Sequence, residues 1–284
     1  MRQIAIYGKG GIGKSMVSSH ITYALADRGL RVMHVGCDPK HDSTRLLLDG
    51  KMTPAILDIL KKKDFRLRDI TLDDVVFQSP SNAHLAGKIY CAESGGPEPG
   101  SGCAGKGVTE AMKTLAALKA PETYDLDLVL YDVLGDVVCG GFTMPLKRGL
   151  AKEIYVVTSG ELQSLFPACN LARAVIRYAD RVGARLGGVI GNLRNMKNER
   201  ELLLRFADRL GTHIVGFIPY SEKIKEASGK GQTLFQHAPD SPDCDAFREL
   251  VDNIYNNDEL SVPEAITFDE LHHWWQDNKQ AVGA

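Results

Sequence analysis

Eight residues near the start of the chain, Gly8-Lys9-Gly10-Gly11-Ile12-Gly13-Lys14-Ser15, have the types and spacing of a phosphate-binding loop. They fill every fixed position of GxxxxGK[ST] between the apolar run Ile4–Tyr7 and a helix-like stretch, the context that pattern requires. Glycines let backbone N–H groups wrap a phosphate chain, and the helix that follows adds its positive end. Lys14 is placed to reach the β- and γ-phosphates, and Ser15 to hold Mg2+. Lys9 cannot easily fold back onto a phosphate already held by Lys14. It either projects toward the nucleotide of a second subunit or stands as a solvated loop charge. Carboxylates follow at the ends of apolar strands, where open parallel sheets carry their ligand chemistry: Asp38 and Asp42 in the loop Cys37–Ser43, and Asp132 after Leu126–Tyr131. Asp132 suits the Mg2+ and water side of a nucleotide, whereas Asp38, preceding Pro39, also fits a plain turn former.

A second chemistry is suggested by the six cysteines, none of which are spaced as CxxC. A zinc knuckle or a self-contained cluster is therefore not encoded within one chain. Cys37, Cys91, Cys169 and Cys244 fit buried small hydrophobes. Cys103 and Cys139 do not, because each lies among glycines: Cys103 in the block Glu93–Gly107, and Cys139 before Gly140-Gly141. Ordering so glycine-rich a block needs a compensating contact, such as a cofactor or a subunit interface. A [4Fe–4S] cluster takes four thiolates, so two per chain are half a site that a two-fold homodimer completes. The stretch Val133–Phe142 joins a nucleotide-facing end, Asp132 to Asp136, to Cys139, and can carry the state of the γ-phosphate to that thiolate.

The elements that must position these groups alternate in the α/β manner. Strands are expected at 4–7, 31–36, 74–78, 126–131, 153–158, 185–190 and 213–218. Helices are expected at 15–26, 53–63, 108–118, 162–181, 198–210 and 243–255. Asn192 and Pro219-Tyr220 follow two of the later strands and are base-contacting candidates. The tail, 267–280, is amphipathic; adjacent His272 and His273 cannot face one another on a helix, which favours packing or solvent over a metal. A chain of 284 residues with a formal charge of −2 gives one large α/β core and no electrostatic case for a nucleic-acid partner. No stretch is apolar enough to cross a bilayer, and the first strand begins too early to leave room for a signal peptide, so a cytoplasmic protein is expected.

Four segments, GKGGIGKS, GCDPKHDSTR, CAESGGPEPGSGCAGKG and DVLGDVVCGGF, resemble the nitrogenase iron protein family with its nitrogenase-like relatives, over residues 2 to about 271. The resemblance implies a P-loop NTPase with a mostly parallel sheet flanked by helices, a domain over 1–260 and a tail over 261–284 that packs on it or on a partner subunit. It implies a homodimer that shares one [4Fe–4S] cluster between Cys103 and Cys139 of each subunit, and that hydrolyses MgATP on Gly8 to Met16. In the family Lys9 is the outward lysine, Lys14 the second loop lysine, Asp38, Asp42, Asp132 and Asp136 the switch aspartates, and Asn192 the adenine-side asparagine. Pro219 joins the nucleotide contacts, and Asp38 and Asp136 are candidates for positioning the attacking water. Such proteins take electrons from a ferredoxin or flavodoxin and pass them, one at a time, to a metallocluster partner on which they dock transiently. No membrane is involved.

Departures from the family pattern bear on which partner is served. Met16 stands where a threonine is usual, which removes a hydroxyl near the phosphates. Lys106 replaces an arginine of the docking face, keeping the charge but losing the planar donor fork. His41 is closer to the tetrapyrrole- and organosulfur-reducing relatives, whereas ESGGPEPGSGCAG leans toward nitrogenase itself. These features favour methylthio-alkane reduction, with dinitrogen reduction and reduction of chlorophyll-precursor or nickel tetrapyrroles as alternatives. ATPases that position chromosomes or division sites form a different class, sharing the outward lysine and sandwich dimers. The Trp274-Trp275 tail admits that class, while Cys103 and Cys139 count against it. A metabolic kinase is a third option, but no small-substrate site is evident in the sequence.

Overall fold

The computed structural model describes residues 1–80, 83–97, 104–135, 144–147 and 149–281. Eight strands form one sheet: β1 (Arg2–Gly8), β2 (Val32–Cys37), β3 (Phe77–Gln78), β4 (Ile89–Glu93), β5 (Leu128–Leu134), β6 (Glu153–Thr158), β7 (Arg185–Asn192) and β8 (Ile214–Ile218). Their order is β3-β4-β2-β5-β1-β6-β7-β8, and only β3 runs antiparallel to its neighbour. The expected α/β fold with a mostly parallel sheet flanked by helices is therefore the observed one.

Central strands of such a sheet are covered on both faces, so they are mostly apolar and split their side chains by period two. Ala5 and Tyr7 enter one core with Val35, Val129 and Tyr131, while Ile4 and Ile6 enter the other with Val32, Leu128 and Leu130. The first core is closed by helices Ala104–Ala117, Leu162–Val182 and Glu199–Arg209, through Val108, Leu165 and Phe206 among others. Helices Lys14–Asp27 and Asp243–Tyr255 close the second, through Val17, Ile21, Phe247 and Leu250. Because β1 lies between β5 and β6, the loop after β1 opens beside the end of β5, at the point where the strand order reverses. Register carries this further: Glu93 pairs with Gly36, Gly36 with Asp132, and Asp132 with Ile6, one row across four strands.

Some expected elements are corrected. Residues 74–78 do not form a strand: Leu72–Val75 is a helical turn closed by a Thr71–Asp74 capping box, leaving only Phe77–Gln78 extended. The strand Ile89–Glu93, which the sequence reading left unassigned, pairs with β2 and buries Glu93 inside the sheet. The helix expected from residue 108 begins at Ala104, inside the glycine-rich block, where the absence of a side chain at Gly107 lets the helix pack on the Gly95 carbonyl. Helix Ile56–Lys62 starts after Pro54, with Ala55 as its cap. The strand before Asp132 runs on to Leu134, so that carboxylate lies within a strand rather than past its end.

The terminal helix Phe268–Ala281 lies on the first core through buried Leu271, with Trp274 and Trp275 packed against it. Trp275 donates its indole N–H to the Gly160 carbonyl at 2.9 Å. Replacing Trp275 by Ala should lower the unfolding free energy by about 2 kcal/mol, the order expected for a half-buried aromatic with one hydrogen bond. Denaturant unfolding measures this, and an unchanged midpoint would show that the helix lies loosely.

Candidate nucleotide site

The loop after β1 turns into helix Lys14–Asp27 through Gly13, which adopts a left-handed conformation at φ 91° that a side chain would strain. Around it lies a cavity of about 520 Å3 lined by Lys9, Gly10, Gly11, Gly13, Lys14, Ser15, Met16, Asp38, Pro39, Lys40, Asp42 and Leu134. Twelve residues from three loops thus converge at the carboxyl ends of β1, β2 and β5. A glycine-lined cradle at a helix N-terminus, with a lysine, a hydroxyl and carboxylates beside it, fits a magnesium nucleotide.

The floor of the site is an ion pair withdrawn from water. The Lys14 ammonium meets Asp132 Oδ1 at 2.5 Å, with side chains 5% and 0% exposed. Ser18 donates to the same oxygen at 3.1 Å, and the Ser43 hydroxyl donates to Oδ2. Burial works to raise the Asp132 pKa, but the Lys14 charge, His34 and the hydrogen bonds outweigh it and hold the carboxyl below its usual range. An ionised carboxylate only accepts, so Ser43 must donate to it. The Ser43 oxygen is then free to accept from His34 Nε2–H at 2.8 Å, which leaves Nδ1 to accept from the Thr22 hydroxyl at 2.8 Å. Burial pushes His34 from 6.5 down to about 4, so the ring is neutral, as this directional chain requires.

The other anticipated residues are distributed as follows. Lys9 donates to Gln163 of its own chain at 3.2 Å. Asp38 is buried and accepts from the Lys40 N–H at 2.9 Å, the turn-forming role, while its side chain also lines the cavity; Asp42 is exposed beside it. Asn192 does not line the cavity: its amide donates to the Ile12 carbonyl at 2.6 Å and braces the loop from behind. Pro219 follows β8 and is likewise outside the lining. Asp136, Cys103 and Cys139 lie outside the described residues. Gly135, which precedes Asp136, touches the loop directly: a Cβ there would come within 2.4 Å of the Gly8 carbonyl and 2.8 Å of the Lys9 nitrogen.

Two groups escaped the sequence reading. Arg194 donates to the Gly11 and Ile12 carbonyls at 3.1 and 2.8 Å, and its own N–H is held by buried Glu199 at 2.7 Å. The only hint was position, two residues past Asn192. Glu93 is wholly buried, accepting from the Thr44 N–H at 2.7 Å and the Thr44 hydroxyl at 2.8 Å. Burial raises its carboxyl from 4.5 to about 8 despite those bonds.

Cys37, Cys91, Cys169 and Cys244 are buried free thiols, and burial raises all four. Cys37 and Cys169 pack in the first core and Cys91 and Cys244 in the second, the small-hydrophobe use expected of them. Among the described residues no helix is long and apolar enough to cross a membrane.

Residues 2–281 match the family of 4Fe-4S iron sulfur cluster binding proteins, NifH/frxC. Over 273 residues, 95% of this chain and 94% of the relative, the sequence is 45% identical to the nitrogenase iron protein of Methanospirillum hungatei JF-1. Among solved structures, the cell division ATPase MinD of Pyrococcus furiosus superposes with a TM-score of 0.66 at 21% identity, covering 89% of this chain and 98% of that one. The septum site-determining protein MinD of Pyrococcus horikoshii OT3, complexed with Mg-ADP, gives 0.67 at 20%, covering 90% and 96%. At those identities the structures show a shared fold and nothing further.

The titration of Glu93 has a measurable sign. Between pH 4.5 and about 8 the folded protein keeps a proton that the unfolded chain releases, so stability falls as pH rises through that window. His20 and His34, both lowered by burial from 6.5 to about 4, act oppositely: stability is lost as pH falls from 6.5 toward 4. Unfolding free energies should therefore decline between pH 6.5 and about 8, where Glu93 acts without the histidines, and Glu93→Gln should flatten that decline. An unchanged slope over that window in the variant would show that Glu93 is already ionised in the fold.

Proposed function

The chain belongs to the NifH/frxC family of 4Fe-4S iron-sulfur cluster binding proteins, and from that we propose that it is the ATP-hydrolysing reductase component of a nitrogenase-like system, passing single electrons to a metallocluster partner. The observation that carries this is the extent of the family match, which takes in the phosphate loop, Cys103 and Cys139 together. Its cofactors are those of the family: MgATP and one [4Fe–4S] cluster held across a homodimer, with Cys103 and Cys139 of each subunit as the ligands. The cluster supplies low-potential electrons, taken from a ferredoxin or flavodoxin in the cytoplasm. Residues 1–260 act as the ATPase and iron–sulfur unit, and 261–284 as a tail packed on it.

The chain's own groups divide the work. Lys14 is parked on Asp132 and must leave it to reach phosphate, so a bound nucleotide exchanges one anionic partner of the lysine for another. Asp132, released, and Ser15 are the groups that would hold Mg2+, which would neutralise charge on the phosphates. The N–H groups from Gly8 to Met16 cradle the phosphates, Asp42 lies at the mouth, and Asp38 and Asp136 orient the attacking water. Lys9, leaving Gln163, acts on the nucleotide of the partner subunit. Asn192 and Pro219, at the ends of β7 and β8, serve the base side. Movement at Asp132 passes along the chain toward Cys139 and changes the cluster's surroundings before hydrolysis.

For the partner, methylthio-alkane reduction is placed first on His41 and on Lys106, which is exposed on the first turn of its helix. A second reading, dinitrogen reduction, is favoured by the relative that bears the name nitrogenase iron protein. Purified metallocluster partners of each kind, offered in turn with MgATP and a reductant, decide between them by which one is reduced. Reduction of neither would remove both of these readings.

Two further outcomes are expected. Anaerobic analysis should give about four iron and four sulfide per dimer, and Cys103→Ser or Cys139→Ser should lose the cluster, hydroxyl being a poorer iron ligand. A full cluster in each isolated monomer would defeat the shared site. Lys14→Ala should abolish nucleotide binding, whereas Lys9→Ala should bind within about threefold of wild type yet hydrolyse at least about a hundredfold more slowly, since its contribution belongs to the transition state. Equal loss of binding in both variants would exclude a role for Lys9 across the interface.

A further inference from the structure

Glu93 is an expensive residue to keep where it is. It is fully buried at the end of β4, and its Oε2 has no hydrogen-bond partner. A buried carboxyl half satisfied in this way is normally outcompeted by an apolar side chain, so its presence calls for a functional reason. In the sheet, Glu93 and Asp132 flank Gly36 in one register row. Gly36 makes the room, since a Cβ there would lie 1.9 Å from Glu93 Oε2. Between the two acids runs the peptide Ser43-Thr44. Ser43 donates its hydroxyl to Asp132, and Thr44 donates both its N–H and its hydroxyl to Glu93. One dipeptide is thus clamped by two buried carboxyls, one of them bound to the loop lysine.

On the far side, Glu93 opens the segment that continues in sequence to Cys103. The start of that segment is stitched to β2 and to the loop that follows it. Ser94 N–H donates to the Gly36 carbonyl at 2.8 Å, and Gly96 lies so close to Pro39 that an added Cβ would come within 2.6 Å. Ser94 in turn accepts from the Leu57 N–H at 3.2 Å, and Gly95 backs onto Ala55. The segment Glu93–Pro97 is thus held to β2 at Gly36, and to the loop Asp38–Thr44 at Thr44 and at Pro39.

We propose that Glu93 is a positioning residue that couples the nucleotide loop Asp38–Thr44, through Thr44, to the segment leading to Cys103. This adds a second line from nucleotide to cluster beside the one from Asp132 to Cys139, and it rests on the reductase reading above. When Lys14 leaves Asp132, the hold of Asp132 on Ser43 is altered, and the neighbouring peptide is displaced against Glu93. The two Thr44 bonds and the Pro39 contact then carry that displacement into Glu93–Pro97. The unpartnered Oε2 fits a group with two arrangements, one of which leaves an oxygen without a donor or acceptor.

The test uses the cluster-loaded dimer of wild type, Glu93→Ala, Glu93→Gln and Thr44→Val. Gln keeps an acceptor of the same shape for Thr44, whereas Ala removes it; Val at residue 44 removes the hydroxyl and leaves the N–H. MgATP affinity and iron content are measured first, then the rate of iron chelation and the hydrogen exchange of 38–44 and 93–97, each with and without MgATP. Glu93→Ala is expected to bind MgATP within about threefold of wild type while its MgATP-induced gain in chelation rate falls about tenfold or more, with Gln within about twofold of wild type and Val between them. A Glu93→Ala protein with normal iron content and a full MgATP response overturns the proposal. If Glu93→Ala does not assemble, Thr44→Val decides by the same criterion. If wild type itself shows no MgATP response at the cluster, the reductase reading has failed, and hydrogen exchange decides separately on Glu93. Support then requires that MgATP alter 38–44 and 93–97 together in wild type and only 38–44 in Glu93→Ala. Joint alteration in both proteins, or in neither, overturns it.

Discussion

The buried contact between Lys14 and Asp132 is the constraint around which this molecule is arranged. A carboxylate at 0% exposure is tolerated only when opposite charge and hydrogen bonds surround it, and removing its cation leaves a strongly unfavourable state. Everything near Asp132 meets that requirement. Helix Lys14–Asp27 brings Lys14 and Ser18 from one side, and the loop after β2 brings Ser43 from the other. A lysine kept in this way is already desolvated and close to where phosphate oxygens would lie. On the reading proposed above, a lysine that left for phosphate would leave Asp132 in want of a new cation, the place Mg2+ would take.

Much of the fold was legible because its strongest signals are local. A phosphate loop needs a strand before it and a helix after it, and apolar strands between amphipathic helices give a parallel sheet. Strand β6 and helix Asp243–Tyr255 fall where the pattern put them. The errors share a physical origin in tertiary contacts. Ile89–Glu93 ends in a glutamate that local rules assign to solvent, and only Thr44, distant in sequence, makes its burial tolerable. Ala104–Gly107 is helical despite two glycines because the second lets a backbone carbonyl approach. At the site, Lys14, Ser15, Asp38 and Asp42 were anticipated together and are found together. Arg194 was not, since an arginine gripping loop carbonyls has no spacing rule that would single it out.

Fold and family give different kinds of information here. Solved structures of cell-division ATPases share the architecture at about one-fifth identity, enough to show the scaffold and too little to transfer chemistry. Family membership rests on sequence along nearly the whole chain. The cysteines illustrate the difference. Four of the six fill core positions as small hydrophobes, a use that any α/β protein can make of the residue. The remaining pair lies in glycine-rich sequence that no core requires. The architecture shared with the cell division ATPases therefore describes the scaffold, while membership of the iron-sulfur family is carried by the sequence.

The hydrogen bonds from Thr22 through His34 and Ser43 to Asp132 all point one way. A row of dipoles aligned toward a carboxylate behaves as a fixed partial positive charge, favouring the anion over the acid. Its members come from helix Lys14–Asp27, from β2 and from the loop after β2. Part of what keeps Asp132 an anion is thus built into the surrounding elements rather than carried by Lys14, and would stay in place if the lysine moved.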